Sequence, residues 1–371
     1  MLEPGAVILS AEESEHNLTL VLTPWIAKMP TPVTDGASPM QAVYSTIGGD
    51  EIRRVLERAF GIEPIDDCTL LQSGFNDIYE VTLADGRRCV ARLSSRLERG
   101  VPNVNYETAL LQHLKSAGAA VAAPWIARNG AYSVEVAAPE GSRSLVVFDF
   151  LSGKTPGNEP TDIAVMGAEL ARIHVLSRDY TGPESNYRLD FDHLLRRPLV
   201  RLLALRDLSD EVRELLTSIA QTLEARIATL TDLAPVACHG DCHGGNTLMS
   251  DGPDGVRVAS FFDFDDGGPG YLAYDIAVYL WSNLLGRGLA SPDEKVEANW
   301  TQFVNGYRSV EPISSVDFEA VTTFVAIRHF WLMGEYASRV NRNGLRVFRE
   351  RWFRENFELV KEWQSLTTPG A

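Results

Sequence analysis

The prevailing spacing of apolar residues shifts near Thr155, and the shift divides this chain in two. From Thr69 to Phe150 they recur largely at every second position, and beyond Thr155 they recur at helical spacing. Leu70 and Leu71, a break at Gly74, then Ile78, Val81 and Leu83 read as strand, turn and strand. Ala84-Asp85-Gly86 turns the chain into a third strand through Cys89, Val90, Ala91 and Leu93. A helix near Tyr106 to Ala117 carries Leu110, Leu111 and Leu114 on one face. Two further strands follow, Ala131 to Val136 and Ser144 to Phe150, the second almost wholly apolar and therefore central. Helices are predicted over 161–177, 190–206 and 209–230 and again from Tyr271 onward, with one island of strand character at 234–264. This order predicts an α+β fold with a small sheet-rich lobe over 39–150 and a larger helical lobe over 151–371, and 371 residues suffice for two cores. An amphipathic helix, Glu51 to Phe60, capped by Asp50, precedes the sheet. Residues 1–38 read as an extension with at most one short element between Leu18 and Ile26, limited by Pro24, before a stretch of turn-forming residues.

Charge narrows the partners. A formal net charge of −16 repels nucleic acid and anionic membrane surfaces. It suits a cationic substrate and equally serves solubility alone. The four cysteines, Cys68, Cys89, Cys238 and Cys242, lack C-x-x-C spacing, and reduced thiols in a cytoplasmic protein are expected. No basic stretch followed by an apolar core marks a secretory signal, and the most apolar stretch, Tyr271 to Leu285, contains Asp275 and is too short to span a bilayer.

The strand island carries the chemistry. His239-Gly240-Asp241-Cys242-His243-Gly244-Gly245-Asn246 is followed by Phe262-Asp263-Phe264-Asp265-Asp266. Asp241 and Asn246 have the D-x-x-x-x-N spacing of a kinase catalytic loop. Apolar residues after Asn246, a Gly/Pro/Asp turn at 251–255 and Val256 to Phe262 predict a hairpin, with Asn246 just before its first strand and Asp263 just after its second. The two ends of a hairpin lie side by side, so both oxygens reach one ion. Phosphoryl transfer needs hard oxygen ligands for Mg²⁺, which Asn246 and Asp263 supply, and a carboxylate to orient the attacking hydroxyl and take its proton, which suits Asp241. His239 is better placed to fix the loop than to act as a base.

His239-Gly240-Asp241-x-His243-x-x-Asn246, the apolar-flanked Asp263 and Tyr274-Asp275-Ile276-Ala277 together resemble the aminoglycoside phosphotransferase / choline kinase superfamily, which includes homoserine kinases and bacterial stress-response Ser/Thr kinases. The resemblance spans about 39–371, roughly nine-tenths of the chain, and its motifs are specific in combination. It implies a protein-kinase-like bilobal fold, ATP and Mg²⁺, Asp241 as base, Asn246 and Asp263 as metal ligands, and Asp275 as anchor of the catalytic loop. It also implies that Ser73, Gly74, Phe75 and Asn76 cover the phosphates, and that Arg92 stands where many relatives carry a phosphate-contacting Lys, oriented by Glu107. The hinge at Phe148-Asp149-Phe150, with Asp149 and Leu151, would meet adenine. The expected acceptor is a small molecule bearing a hydroxyl, aminoglycoside-, choline- or homoserine-like. A protein Ser/Thr acceptor and a non-catalytic nucleotide-binding module remain as alternatives.

Other motifs invite other chemistry. Zinc at Cys238, His239, Cys242 and His243 lacks the usual ligand spacing. Gly153-Lys154-Thr155 lacks the upstream glycine of a P-loop. Gly268-Pro269-Gly270-Tyr271-Leu272-Ala273 matches a dinucleotide fingerprint without a second strand, and a mobile loop after the metal site is expected there. Asp265 and Asp266 read either as acceptor or second-metal contacts or as solvated loop carboxylates. Trp281, Phe330, Trp331, Trp352 and Phe353 read mainly as core, with a few lining the acceptor pocket.

Overall fold

The computed structural model describes residues 41–95, 103–252 and 254–370. The expected extension 1–38, with its short element, lies outside the described residues. From Val43 on, the chain forms one compact unit. A five-stranded antiparallel sheet has the order β1-β2-β3-β5-β4, with β1 Ile65–Ser73, β2 Asn76–Leu83, β3 Arg88–Ser94, β4 Ser133–Ala138 and β5 Gly141–Asp149. Helix α1, Gly49–Val55, continues as one wider turn to Phe60, so Asp50 sits in the first helical turn and Gly48 takes the cap position expected of it. β1 begins four residues before the expected Thr69 and is mostly exposed, since it is an edge strand with no apolar alternation to betray it.

The pleat of β3 sets up the cleft. Cys89, Ala91 and Leu93 join Ile52, Leu56, Tyr79, Val81, Leu145 and Val147 in one core. Alternation then turns Arg92 to the opposite face, toward helix α2, Val104–Ser116. A second, larger core runs from α2 through the helical lobe. That lobe contains α3 Pro160–Leu176, α4 Arg197–Leu203, α5 Asp210–Ala228, α6 Leu272–Gly286, α7 Glu294–Arg308, α8 Ser315–Ser338, α9 Val340–Asn343 and α10 Glu350–Gln364. The helix expected over 190–206 is divided: a π turn, Asp192–Arg196, leads into α4 with Pro198 at its start. Proline has no N–H to continue the preceding ladder, so the hydrogen-bond register restarts there.

Two small antiparallel pairs lie inside the helical lobe. β7, Thr247–Asp251, and β8, Arg257–Phe261, form the expected hairpin. β6, Pro235–Cys238, pairs with β9, Gly268–Tyr271, so the segment read as a mobile loop is a strand. Gly270 makes that pairing possible: a Cβ there would lie 2.8 Å from Leu189 Cβ and 2.9 Å from Cys238 Sγ. Among the described residues no helix is long and apolar enough to cross a membrane.

Candidate functional site

The loop after β6 is built around one buried carboxylate. Asp275, on the first turn of α6, accepts the His239 N–H at 2.8 Å and the Gly240 N–H at 2.8 Å, and its Oδ2 lies 2.9 Å from His174 Nε2. Burial works against charge on Asp275, but these partners hold its carboxyl below the usual range. Gly240 has φ +84°, and a Cβ there would collide with the Asp266 carbonyl oxygen. The His239 ring is spent on backbone: Nδ1 accepts the Asp241 N–H at 3.2 Å and Nε2 meets the Phe262 carbonyl at 3.1 Å. Both nitrogens are thus occupied, which leaves no place for His239 as a zinc ligand, and burial pushes its pKa down.

Asp241 follows at the rim of the cleft. Its Oδ1 accepts a hydrogen bond from Arg328 Nη2. Its Oδ2 accepts from Asn246 Nδ2 at 3.1 Å and lies 3.4 Å from His243 Nε2. Burial alone would raise its pKa, but the Arg328 cation, with His243 and His239 beside it, holds the carboxyl well below the usual range. Asn246 also donates to the Asp241 carbonyl at 3.0 Å, so its amide nitrogen is committed and its side-chain oxygen is the group it offers a cation. The hairpin ends meet as expected: the Phe262 N–H donates to the Asn246 carbonyl at 3.2 Å. Asp263 comes next with φ 65°, a left-handed conformation that non-glycine residues adopt at a cost and that persists at functional sites. Its buried Oδ1 has no hydrogen-bond partner among the described residues, and burial together with the Asp265 carboxylate pushes its pKa well up. A hard oxygen that makes no hydrogen bond, in a crowd of carboxylates, fits a divalent cation. Among the described residues no three His, Cys, Asp or Glu side chains form a cage.

Across the cleft, Arg92 and Glu107 form a bidentate pair, with Nη1 to Oε1 at 2.7 Å and a second bond between Nη2 and Oε2. Both side chains are 3% exposed, so Arg92 is no surface strand residue. Arg92 Nη1 lies 3.5 Å from Asp263 Oδ1. The turn carrying Ser73, Gly74, Phe75 and Asn76 joins β1 to β2 and closes with the Gly74 N–H on the Asn76 carbonyl at 2.9 Å. Asn76 Nδ2 donates to Asp265 Oδ2 at 2.6 Å. The helical lobe holds the turn as well, since Arg342 and Arg339 donate to the Gly74 carbonyl at 2.9 and 3.2 Å. Asp149 pairs with Cys89, three residues along β3 from Arg92, a separation of about 10 Å. Its N–H is committed to the Ala123 carbonyl at 2.9 Å and its carboxylate to Trp125 Nε1 at 2.9 Å. Leu151 packs partly buried against the larger core.

A cavity adjoins this cluster, lined by Arg92, Glu107, Asp265, Asp266, Trp331 and Glu335 among others. Asp266 is 7% exposed, so it is not a solvated loop residue. Trp331 Nε1 and Glu335 Oε2 are buried without hydrogen-bond partners among the described residues. Trp281, Phe330 and Phe353 are core residues. Arg328 and Glu335 went unnoticed in the sequence, where the available signal was a charged residue inside an otherwise apolar helix.

The family model described as the phosphotransferase enzyme family matches residues 67–313. A protein of Deinococcus radiodurans described only as uncharacterized is 32% identical, over 90% of this chain and 94% of its own length. A homoserine kinase of Cupriavidus metallidurans is 28% identical, over 74% of this chain and 82% of its own. Among solved structures, amicoumacin kinase hAmiN in complex with AMP-PNP, Ca2+ and Ami covers 86% of this chain and 95% of its own with a TM-score of 0.69. At 18% identity that match is a likeness of fold.

Proposed function

The chain belongs to the phosphotransferase enzyme family, and from that premise we propose that it moves the γ-phosphate of ATP to a hydroxyl of a small molecule, with Asp241 as the base. The observation that carries this reading is the Asp241 carboxylate, bonded by Arg328, held beside Asn246 and within one hairpin of Asp263. Asn246 and Asp263 would hold Mg²⁺, which when bound neutralises charge on the transferring phosphates. Arg92, locked by Glu107, meets phosphate oxygens, and the Ser73–Asn76 turn covers them. Asp149 and Leu151 lie at the end of β5, where adenine docks. With its N–H committed, Asp149 has its carbonyl to offer the base. The hydroxyl approaches Asp241, which orients it and takes its proton as the phosphorus–oxygen bond forms and ADP leaves. The adjoining cavity receives the rest of the acceptor. Its buried indole N–H and carboxylate oxygen favour a polar molecule with both a donor and an acceptor.

Release of ADP from ATP and Mg²⁺ with L-homoserine, choline and an aminoglycoside panel tests the reading. Asp241→Asn is expected to lower turnover about 10²- to 10⁴-fold while AMP-PNP still raises the melting temperature. Near-normal turnover in that variant sinks the base assignment. Asp263→Ala is expected to abolish the response of activity to added Mg²⁺.

A further inference from the structure

Arg328 lies in the middle of α8 within Phe324 to Met333, where it is the one charged residue if His329 is neutral. Its side chain is 3% exposed and lies over two indoles, with Cζ 5.1 Å from the Trp281 ring centroid and 4.3 Å from that of Trp331. Nη1 donates to the Gly240 carbonyl at 3.1 Å and the Tyr274 hydroxyl at 3.3 Å, and Nη2 donates to Asp241 Oδ1. A buried guanidinium is costly, and an apolar side chain would serve the packing of α8 as well or better. Stability therefore does not account for it.

We infer that Arg328 is a positioning residue for phosphotransfer, fixing Asp241 through Oδ1 so that Oδ2 is the oxygen presented to the acceptor hydroxyl. The inference rests on Asp241 being the base. A carboxylate has a broad torsional preference about its last bond and would otherwise turn freely between equivalent oxygens. Here a charge-assisted bond from Arg328 holds one oxygen and the Asn246 amide lies against the other, which sets the plane of the group. The rigid guanidinium fork reaches the Gly240 carbonyl and the Asp241 carboxylate together, so the base and the loop that carries it are fixed by one group. A lysine ammonium lacks that geometry. The contact also ties α8, which carries Trp331 and Glu335 of the adjoining cavity, directly to the reacting carboxylate.

The test compares Arg328→Ala, Arg328→Gln and Asp241→Asn in ADP release, using an alcohol that the panel shows to be turned over, or water as acceptor if none is. In Arg328→Ala, kcat is expected to fall about 10- to 100-fold with the KM for ATP nearly unchanged. Millimolar guanidinium chloride should restore part of that kcat where sodium chloride at equal strength does not. The same titration should give a saturable change in tryptophan fluorescence in Arg328→Ala and none in the wild type, as guanidinium enters the space that the Arg328 side chain vacates beside the two indoles. Wild-type kcat in a folded Arg328→Ala or Arg328→Gln, with Asp241→Asn inactive, overturns the positioning role and leaves the base reading intact. Full turnover in Asp241→Asn overturns the base reading, and the inference with it. A parallel loss of nucleotide affinity and kcat that guanidinium does not restore reduces Arg328 to a structural residue. If Arg328→Ala does not fold, Arg328→Gln decides by its kcat alone, with a loss at unchanged KM for ATP supporting the role.

Discussion

Arg92 shows how much one side chain depends on its partner. Glu107 is the counter-charge that bonds this buried guanidinium directly, and it holds the fork in one plane toward Asp263. Its pKa stays high because Glu107, Asp265 and Asp263 outweigh burial, so its charge is constant across any working pH. Arg92→Ala is expected to raise the KM for ATP and lower kcat together, since it removes a phosphate contact and leaves Glu107 buried without a counter-charge. Glu107→Ala should act in the same direction and more weakly. Steady-state kinetics in ATP check both, and unchanged constants in Arg92→Ala would assign the phosphate contact elsewhere. Arg92 was legible through the resemblance, because it stands on the third strand where many relatives carry a phosphate-contacting Lys. Arg328 was not, because its partner Asp241 lies 87 residues earlier in the chain and nothing local announces the pair.

At the level of elements, the pairing of β6 with β9 fixes the catalytic loop from behind. β6 delivers His239 and Gly240 to Asp275, and β9 leads directly into the helix that carries Asp275. Gly270 is the tightest point of that pairing, against Leu189 and Cys238. Gly270→Ala is expected to push the strands apart and destabilise the fold by roughly 1–3 kcal/mol, read as a lower melting temperature. Turnover should fall as well, because the displaced element carries the anchor of the loop. A melting temperature and kcat equal to wild type would show that the contact relaxes freely. The glycines of this segment were visible in the sequence, but their purpose was misread. Glycine signals either freedom or close approach, and only the packed neighbours distinguish the two.

Across the whole molecule, buried histidines couple stability to pH. His329, between Trp281 and Asn356, is pushed down to about 4 by burial, and His239 is pushed down by the same cause. An unfolded chain protonates histidine near pH ~6.5, so between there and about 4 the unfolded state binds more protons than the folded one. Stability from these groups is therefore full above pH ~6.5 and is lost as pH falls through that window. Melting temperatures measured from pH 7.5 to 4.5 are expected to fall further in wild type than in His329→Gln, once other carboxylates are subtracted by comparing the two proteins. Equal slopes would show that His329 takes its proton in the folded state.

The sequence by itself determined the two-lobed order of elements and the hairpin that brings Asn246 toward Asp263. Each follows from local period or short spacing, which chain geometry converts into proximity without further information. The tertiary structure alone decided that Arg328 of α8 binds Asp241, that Arg339 and Arg342 hold the Gly74 carbonyl, and that Gly268–Tyr271 is a strand. Those contacts join segments separated by 87, 265 and 268 residues, or depend on which side chains pack within a Cβ radius of a glycine. Local pattern carries no record of either, because a buried charge and a tight glycine are defined by what surrounds them in space.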